Sequence, residues 1–324
     1  MSRLLPTHSM TAAAADRPRA AIVRQPLASI IVRTHHGRRG FLEECLHSLA
    51  SQTYAELEIV VVEDGGEESR SLAAAFAAAS GRRLNYLSVP RQGRSRAGNV
   101  GLAAARGDLL GFLDDDDQFL PEHVGLLVRA LVDRPEAAAA YSLAYEVPTR
   151  VLSREPLVYQ EAGRYVVHRR PFAPAELLAR NLLPIQAVLF RRELFERLGG
   201  FSETLEMLED WDLWIRYLVP KCVVQVPQVT SLHRVPDDVD EALRRYRQMQ
   251  QYRPQFAARH RDRTAGRPSW IDRLGHRAIS CRVLFRLYWS LRRRYYSLTN
   301  RSDSRTARPW NSDAESWHTP SQEV

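Results

Sequence analysis

At 324 residues, with 44% hydrophobic and 26% charged residues, the chain has room for one large globular domain or one domain with an appendage. No apolar run approaches the roughly 20 residues of a membrane-spanning helix, and the three cysteines, Cys45, Cys222 and Cys281, are too scattered for a disulfide framework or a zinc site and fit a reduced, cytoplasmic protein. The net charge of +8 is uneven: residues 241–300 hold fifteen arginines against Glu241, Asp262 and Asp272, so the remainder is slightly acidic.

Residues 1–27 mix Ala, Pro, Arg and Thr without an apolar core, and are expected to form a disordered segment, not a secretory signal. Strand and helix then alternate. A strand is expected over 29–33, and a helix over 41–51 with Leu42, Cys45, Leu46 and Leu49 on one face. A second strand over 58–63 ends in the turn Asp64-Gly65-Gly66. A helix over 72–79, a strand over 84–89 and a helix over 95–105, capped by Ser95, follow. The fourth strand, 109–113, is a short apolar run. Four βα units in about 100 residues predict an α/β fold with a doubly wound, mostly parallel sheet and helices on both faces.

Beyond it, the pattern predicts a helix over 121–132 with Pro121 at its start, a strand over 138–145 and an irregular stretch over 146–172 with a hairpin around Gly163. A strand over 185–191 and a helix over 192–198, stopped by Gly199-Gly200, come next. A helix over 209–218 and a strand over 223–226 complete a domain spanning 28–235. Residues 236–300 read as an Arg-rich helical extension and 301–324 as a disordered tail.

The chemistry concentrates where strands end. Asp114, Asp115, Asp116 and Asp117 follow the fourth strand, and in parallel sheets that end opens on the ligand crevice. Four carboxylates on one loop repel each other unless a cation is present, and hard oxygen ligands suit Mg²⁺ or Mn²⁺ when a substrate phosphate completes the shell. Asp64 can accept hydrogen bonds from a base or ribose. Arg94 and Arg96, in the Gly-containing entry to the third helix, can offset a diphosphate.

Taken together, 30–34, 46–54, 61–65, 93–101, the Asp114–Asp117 loop with Pro121, Gly199-Gly200-Phe201 and 209–216 resemble a family 2 glycosyltransferase of GT-A fold over residues 28–220. The resemblance implies that Thr34 and Asp64 hold the nucleotide of a UDP- or dTDP-linked sugar. It places Asp114 near ribose or metal and Asp116 on the metal, and leaves Asp115 for ribose contact and Asp117 for loop support. Asp210 matches the general base that deprotonates the acceptor hydroxyl, so that displacement inverts the anomeric centre. Glu209 and Trp211 would lie on the acceptor side, with Trp214 and Phe201 forming an apolar wall for a sugar face. His233 matches a third metal or diphosphate ligand of some GT-A enzymes. The chain departs from the family pattern at His35-His36-Gly37-Arg38, at Glu63, and at Gly98, where an Arg often precedes Asn99.

The implied cofactor is Mn²⁺ or Mg²⁺, and the implied acceptor a glycan or lipid-linked hydroxyl in envelope or exopolysaccharide synthesis. A sugar nucleotidyltransferase would want a Gly-rich signature after the first strand, and an aspartyl phosphohydrolase its Asp-x-Asp there, with a lysine; Lys221 is the chain's single lysine. A non-catalytic nucleotide-sugar-binding protein would not need both the aspartates and Asp210. Over 279–300, Arg282, Arg286 and Arg293 oppose Val283, Leu284, Leu287, Tyr288, Leu291 and Tyr295 on a helical wheel. Such a helix suits either an anionic membrane surface, at the inner face of the cell membrane, or docking on the catalytic domain. No recognition motif points to nucleic acid.

Overall fold

The computed structural model describes residues 25–264 except 168, 170 and 220, together with 290 and 291. The expectations for 1–24, for 301–324 and for the basic helix over 279–300 fall outside these residues, apart from 290 and 291 in the last.

The elements run β1 (Ala28–His35), α1 (Arg39–Ala50), β2 (Leu57–Asp64), α2 (Arg70–Ser80), β3 (Arg83–Val89), α3 (Arg94–Ala104), β4 (Leu109–Asp114), β5 (Gln118–Phe119), α4 (His123–Val132) and β6 (Ala139–Arg154). They continue with β7 (Leu157–Glu161), β8 (Tyr165–Val167), α5 (Pro174–Leu177), a 3₁₀ turn (Ile185–Ala187), β9 (Val188–Arg191), α6 (Arg192–Leu198), α7 (Glu209–Leu218), β10 (Val223–Pro236), α8 (Val239–Arg259) and α9 (Arg261–Thr264). Among the described residues the strands form one sheet in the order β3-β2-β1-β4-β9-β6-β10-β5, with β7 and β8 also on β6. The half β3-β2-β1-β4 is parallel. The other half is mixed: β9 runs antiparallel to β4 and β6, β10 runs parallel to β6, and β5 closes the edge antiparallel to β10.

Side chains alternate across each strand, which divides the core into two layers. Ile30 and Val32 of β1, Ile59 and Val61 of β2, and Leu113 of β4 pack beneath α1 and α4 with Leu42, Leu46 and Leu127. Ile31, Val60, Val62, Leu110 and Phe112 point the other way, into the layer of α3, α6 and α7 with Leu102, Leu194 and Trp214. Both faces are covered, so these strands read as continuous apolar runs.

Several boundaries differ from the sequence pattern. Ser95 does not cap α3: the helix starts at Arg94 after Gly93, and the Ser95 hydroxyl donates instead to the Leu205 carbonyl at 2.6 Å. Pro121 precedes α4, which begins at His123. The expected irregular stretch 146–172 is largely strand. β6 continues to Arg154, its polar outer half held by β7, β8 and the far end of β10. The hairpin joins β6 and β7 around residues 155–156, with Gly163 in the link to β8. Strand preference follows the partner available more than the residues themselves. The 223–226 strand likewise extends to Pro236, and the first residues of the 185–191 strand form the 3₁₀ turn.

Candidate active site

The parallel register builds the site. Arg33 of β1 stands opposite Asp114 of β4, Thr34 opposite Glu63, and His35 opposite Asp64, so the polar strand ends reach one level. Gly65 turns the chain away after β2 with φ +90, a backbone region that L side chains rarely adopt.

Protein cations balance much of the charge on the four aspartates. Arg33 grips Asp114 with two donors, Nε to Oδ1 at 2.7 Å and Nη2 to Oδ2 at 2.9 Å. Burial alone would raise the Asp114 carboxyl, but the Arg33 guanidinium overrides it and holds it near about 2. Arg38 bridges the next two, reaching Asp115 Oδ1 at 2.6 Å and Asp116 Oδ2 at 2.7 Å. Thr34 Oγ1 donates to Asp115 Oδ2 at 2.8 Å. Asp117 turns inward, where it accepts from the Arg234 backbone N–H at 2.9 Å and pairs with His233 Nδ1 at 3.2 Å. Burial would lower the His233 imidazole, but Asp117 wins and raises it to about 9. The expected metal ligand here pairs with Asp117.

The other donor-side residues divide. Asp64 lies at the end of β2 and accepts the Gln92 and Gly93 backbone N–H groups at 2.7 and 2.9 Å, which ties the entry of α3 to the strand. Arg94, one residue into α3, faces the site and reaches Glu209 Oε1 at 3.6 Å. Arg96 does not join them. It pairs with Glu203 at 3.0 Å on the surface, because α3 turns it roughly 200° from Arg94 at about 100° per residue.

Helix α7 supplies the opposite side. Its boundaries are those expected, and Leu208 enters it with φ 66, a left-handed conformation uncommon for a non-glycine residue. Glu209, Asp210 and Asp212 lie in the first turn, where carboxylates complement the helix dipole. Glu209 is buried and contacts Arg33 Nη1 at 3.4 Å, so it serves the arginines instead of opening toward an acceptor. Asp210 accepts from the Asn181 amide at 2.8 Å and from the Trp211 backbone N–H at 2.7 Å. Burial first, and Glu209 second, raise its carboxyl to about 6.

The apolar wall is corrected. Trp211 and Trp214 are 3% and 0% exposed and Phe201 5%, all within the main core. The Trp211 indole donates to the Leu177 carbonyl at 2.6 Å and lies 4.3 Å from the Phe256 ring of α8. These aromatics fix α7 on the domain, and Trp211 is not an acceptor-side residue. Aromatic bulk beside a motif does not reveal which helix face it occupies.

Arg33, Arg38 and Arg234 are site residues that the sequence pattern did not single out. Arg234 Nη1 donates to the Asp116 carbonyl at 2.7 Å, while Nη2 reaches Glu44 at 2.9 Å and the Tyr159 hydroxyl at 2.8 Å, bracing the aspartate loop from α1, β7 and β10. A signal existed in their placement: all three follow or close a strand next to an expected polar cluster.

Among the described residues no ready-made group of three His, Cys, Asp or Glu side chains could hold a metal ion. The donor set still fits a hard cation whose shell a substrate finishes. The Asp116 side chain is 34% exposed, and its ion partner is Arg38. Oxygen donors on a short loop suit Mg²⁺ or Mn²⁺ bound through one or two carboxylates plus substrate phosphates. No helix among the described residues is long and apolar enough to cross a membrane.

Comparison with known proteins bears on the family and the fold. The chain is 32% identical over 225 residues to an uncharacterized protein of Mycobacterium tuberculosis, covering 65% of this chain and 67% of that one. It is 30% identical over 206 residues to the O-antigen biosynthesis protein RfbC of Myxococcus xanthus, covering 63% of this chain and 15% of that much longer protein. Among solved structures, S. aureus TarS 1–349 in complex with UDP matches at TM-score 0.50 and 22% identity, over 67% of this chain and 63% of that one. Mannosyltransferase PcManGT from Pyrobaculum calidifontis, in complex with GDP-Man and Mn²⁺, matches at TM-score 0.50 and 20% identity, over 69% of this chain and 61% of that one. These likenesses establish the GT-A fold. The model of glycosyl transferase family 2 matches residues 29–199, more than half of the chain. The chain belongs to glycosyl transferase family 2.

Proposed function

We propose that this glycosyltransferase moves a sugar from a nucleotide donor to a hydroxyl of a glycan or lipid-linked acceptor, with inversion at the anomeric carbon and Asp210 as general base. One observation carries the reading: a half-buried carboxyl, raised to about 6, stands at the start of α7 next to Arg33, the same arginine that grips the aspartate loop. A base is most effective when its pKa lies near the working pH.

In this reading Asp64 and Thr34 mark the nucleoside side, and Asp116 would hold Mn²⁺ or Mg²⁺. When bound, that cation offsets charge on the departing diphosphate. Arg38 and Arg94 have donors to give to the phosphates. Asp114, with both oxygens on Arg33, orients the loop and does not ligate metal. Asp210 takes the proton of the acceptor hydroxyl; Asn181 and the Trp211 N–H hold its two oxygens, so its orientation is set before the acceptor arrives. That relatives include an O-antigen biosynthesis protein, and that fold neighbours hold UDP or GDP-Man, supports a nucleotide-sugar donor and a role in envelope or exopolysaccharide synthesis. Residues 28–235 would form the catalytic domain and 236–300 an extension, whose α8 packs Phe256 into the core.

A panel of UDP-, dTDP- and GDP-sugars with Mn²⁺, Mg²⁺ or EDTA tests the reading. The wild type is expected to hydrolyse or transfer from at least one donor in a metal-stimulated way. Nucleotide affinity equal in Mn²⁺ and EDTA would remove the metal from the site.

A further inference from the structure

A Cβ at Gly98 would stand 2.5 Å from the Phe201 ring and 3.5 Å from Cδ of Arg33. The space beside α3 at Gly98 is filled by the Phe201 ring, with the aliphatic stem of Arg33 against it. The Arg33 side chain is 5% exposed, and its guanidinium carbon lies 5.8 Å from the Phe112 ring centroid and 5.4 Å from that of Phe201. From there it makes the two bonds to Asp114 and the 3.4 Å contact to Glu209.

Resting on the base assignment above, we propose that Arg33 is a positioning residue: it ties the donor-side Asp114 to the base-bearing helix through Glu209. Two rigid elements separated by 95 residues of chain, β4 and the start of α7, are thereby set at one distance. The guanidinium fork matters as well as the charge, since one planar group serves two carboxylates at fixed angles. The charged groups around Asp210 are Glu209 on its own helix, Arg33 on β1 and, beyond Glu209, Arg94 on α3; Asn181 adds a neutral amide. Of the two arginines, Arg33 acts on Asp210 directly and favours its ionised form.

The test uses the full chain with Arg33→Met and Arg33→Lys, checked for folding by thermal melts, and Asp210→Asn as control. With a nucleotide sugar that the wild type turns over, Arg33→Met is expected to lower kcat about a hundredfold, with UDP affinity in Mn²⁺ within about threefold of wild type. Its acid limb should move up by about one pH unit, as expected when a neighbouring opposite charge is lost. Arg33→Lys should keep the limb in place and recover part of kcat. A limb that stays put in Arg33→Met, or a UDP affinity that falls with kcat, overturns the proposal. Should Arg33→Met not fold, Arg33→Lys with wild-type kcat overturns it equally. A second readout needs no turnover: in ¹³C-carboxyl-labelled protein, the Asp210 resonance, identified by its loss in Asp210→Asn, should titrate at higher pH in Arg33→Met. An unmoved midpoint refutes the role of Arg33. Undiminished turnover by Asp210→Asn refutes the base assignment instead.

Discussion

Asp114 and Asp210 are both half-buried and both near Arg33, yet their carboxyls move in opposite directions, to about 2 and to about 6. The difference lies in contact. Asp114 receives two guanidinium bonds, while Asp210 receives two neutral N–H donors and has Glu209 for a neighbour. A direct charge-assisted bond outweighs burial; a nearby charge without one does not. The fold thus makes one aspartate a fixed anion and leaves the other able to exchange a proton near neutral pH.

The largest effect should come from the Asp210 end. Asp210→Asn is expected to cut turnover by about 10²–10⁴-fold, the usual contribution of a positioned general base, while UDP binding measured by calorimetry stays intact. Loss of both together would mean that Asp210 holds the site's shape and not a proton.

Two residues along the same helix, Asp212 extends the contrast. It is fully buried and takes Arg216 Nε, Arg259 Nε and His260 Nε2, each at 2.9 Å, so its carboxyl is held far below the usual range despite burial. Arg259 and His260 come from the end of α8, so this cluster fastens the extension to the catalytic helix. Asp212→Ala should destabilise the protein by about 3–5 kcal/mol, the range for breaking a buried pair by removing one partner, read as a lower midpoint in urea unfolding. A change below about 1 kcal/mol, the range of exposed pairs, would mean that the cluster is wetter than its geometry.

The pH profile sharpens the comparison further. A base must be ionised to act, and its pKa is raised to about 6. Turnover should therefore rise about tenfold per pH unit below that point and level off above it. A profile flat down to pH 4.5 would return Asp210 to the behaviour of an ordinary carboxylate. The smallest effect is expected at Arg96. Its pair with Glu203 is 48% and 43% exposed, so Arg96→Ala should change stability by less than about 1 kcal/mol, with UDP affinity unaltered. A marked loss of UDP binding would restore Arg96 to the donor site.

Much of the donor half was legible before the structure. Strands 29–33, 58–63 and 109–113 are short apolar runs closed by polar clusters, and their order alone implies that the clusters share one crevice. Helix 209–218 was legible to the residue, because its acidic first turn and apolar period coincide. The far half was not. The polar outer half of β6 carries no alternation strong enough to announce a strand, and its partners β8 and β10 lie about 20 and 85 residues further along the chain. Trp211 failed for a related reason: periodicity says that a face is apolar, not whether protein or ligand covers it, and Phe256 covers it here.

The sequence by itself determined the family, the parallel half of the sheet and the set of carboxylates gathered at the candidate site, since motif order and local pattern are written in adjacent residues. The tertiary structure decided which cation each carboxylate meets. Arg33 finds Asp114 81 residues away and Glu209 176 residues away, and Arg38 spans Asp115 and Asp116. Electrostatic partnership depends on a few ångströms of distance, and distance between remote residues is set by packing.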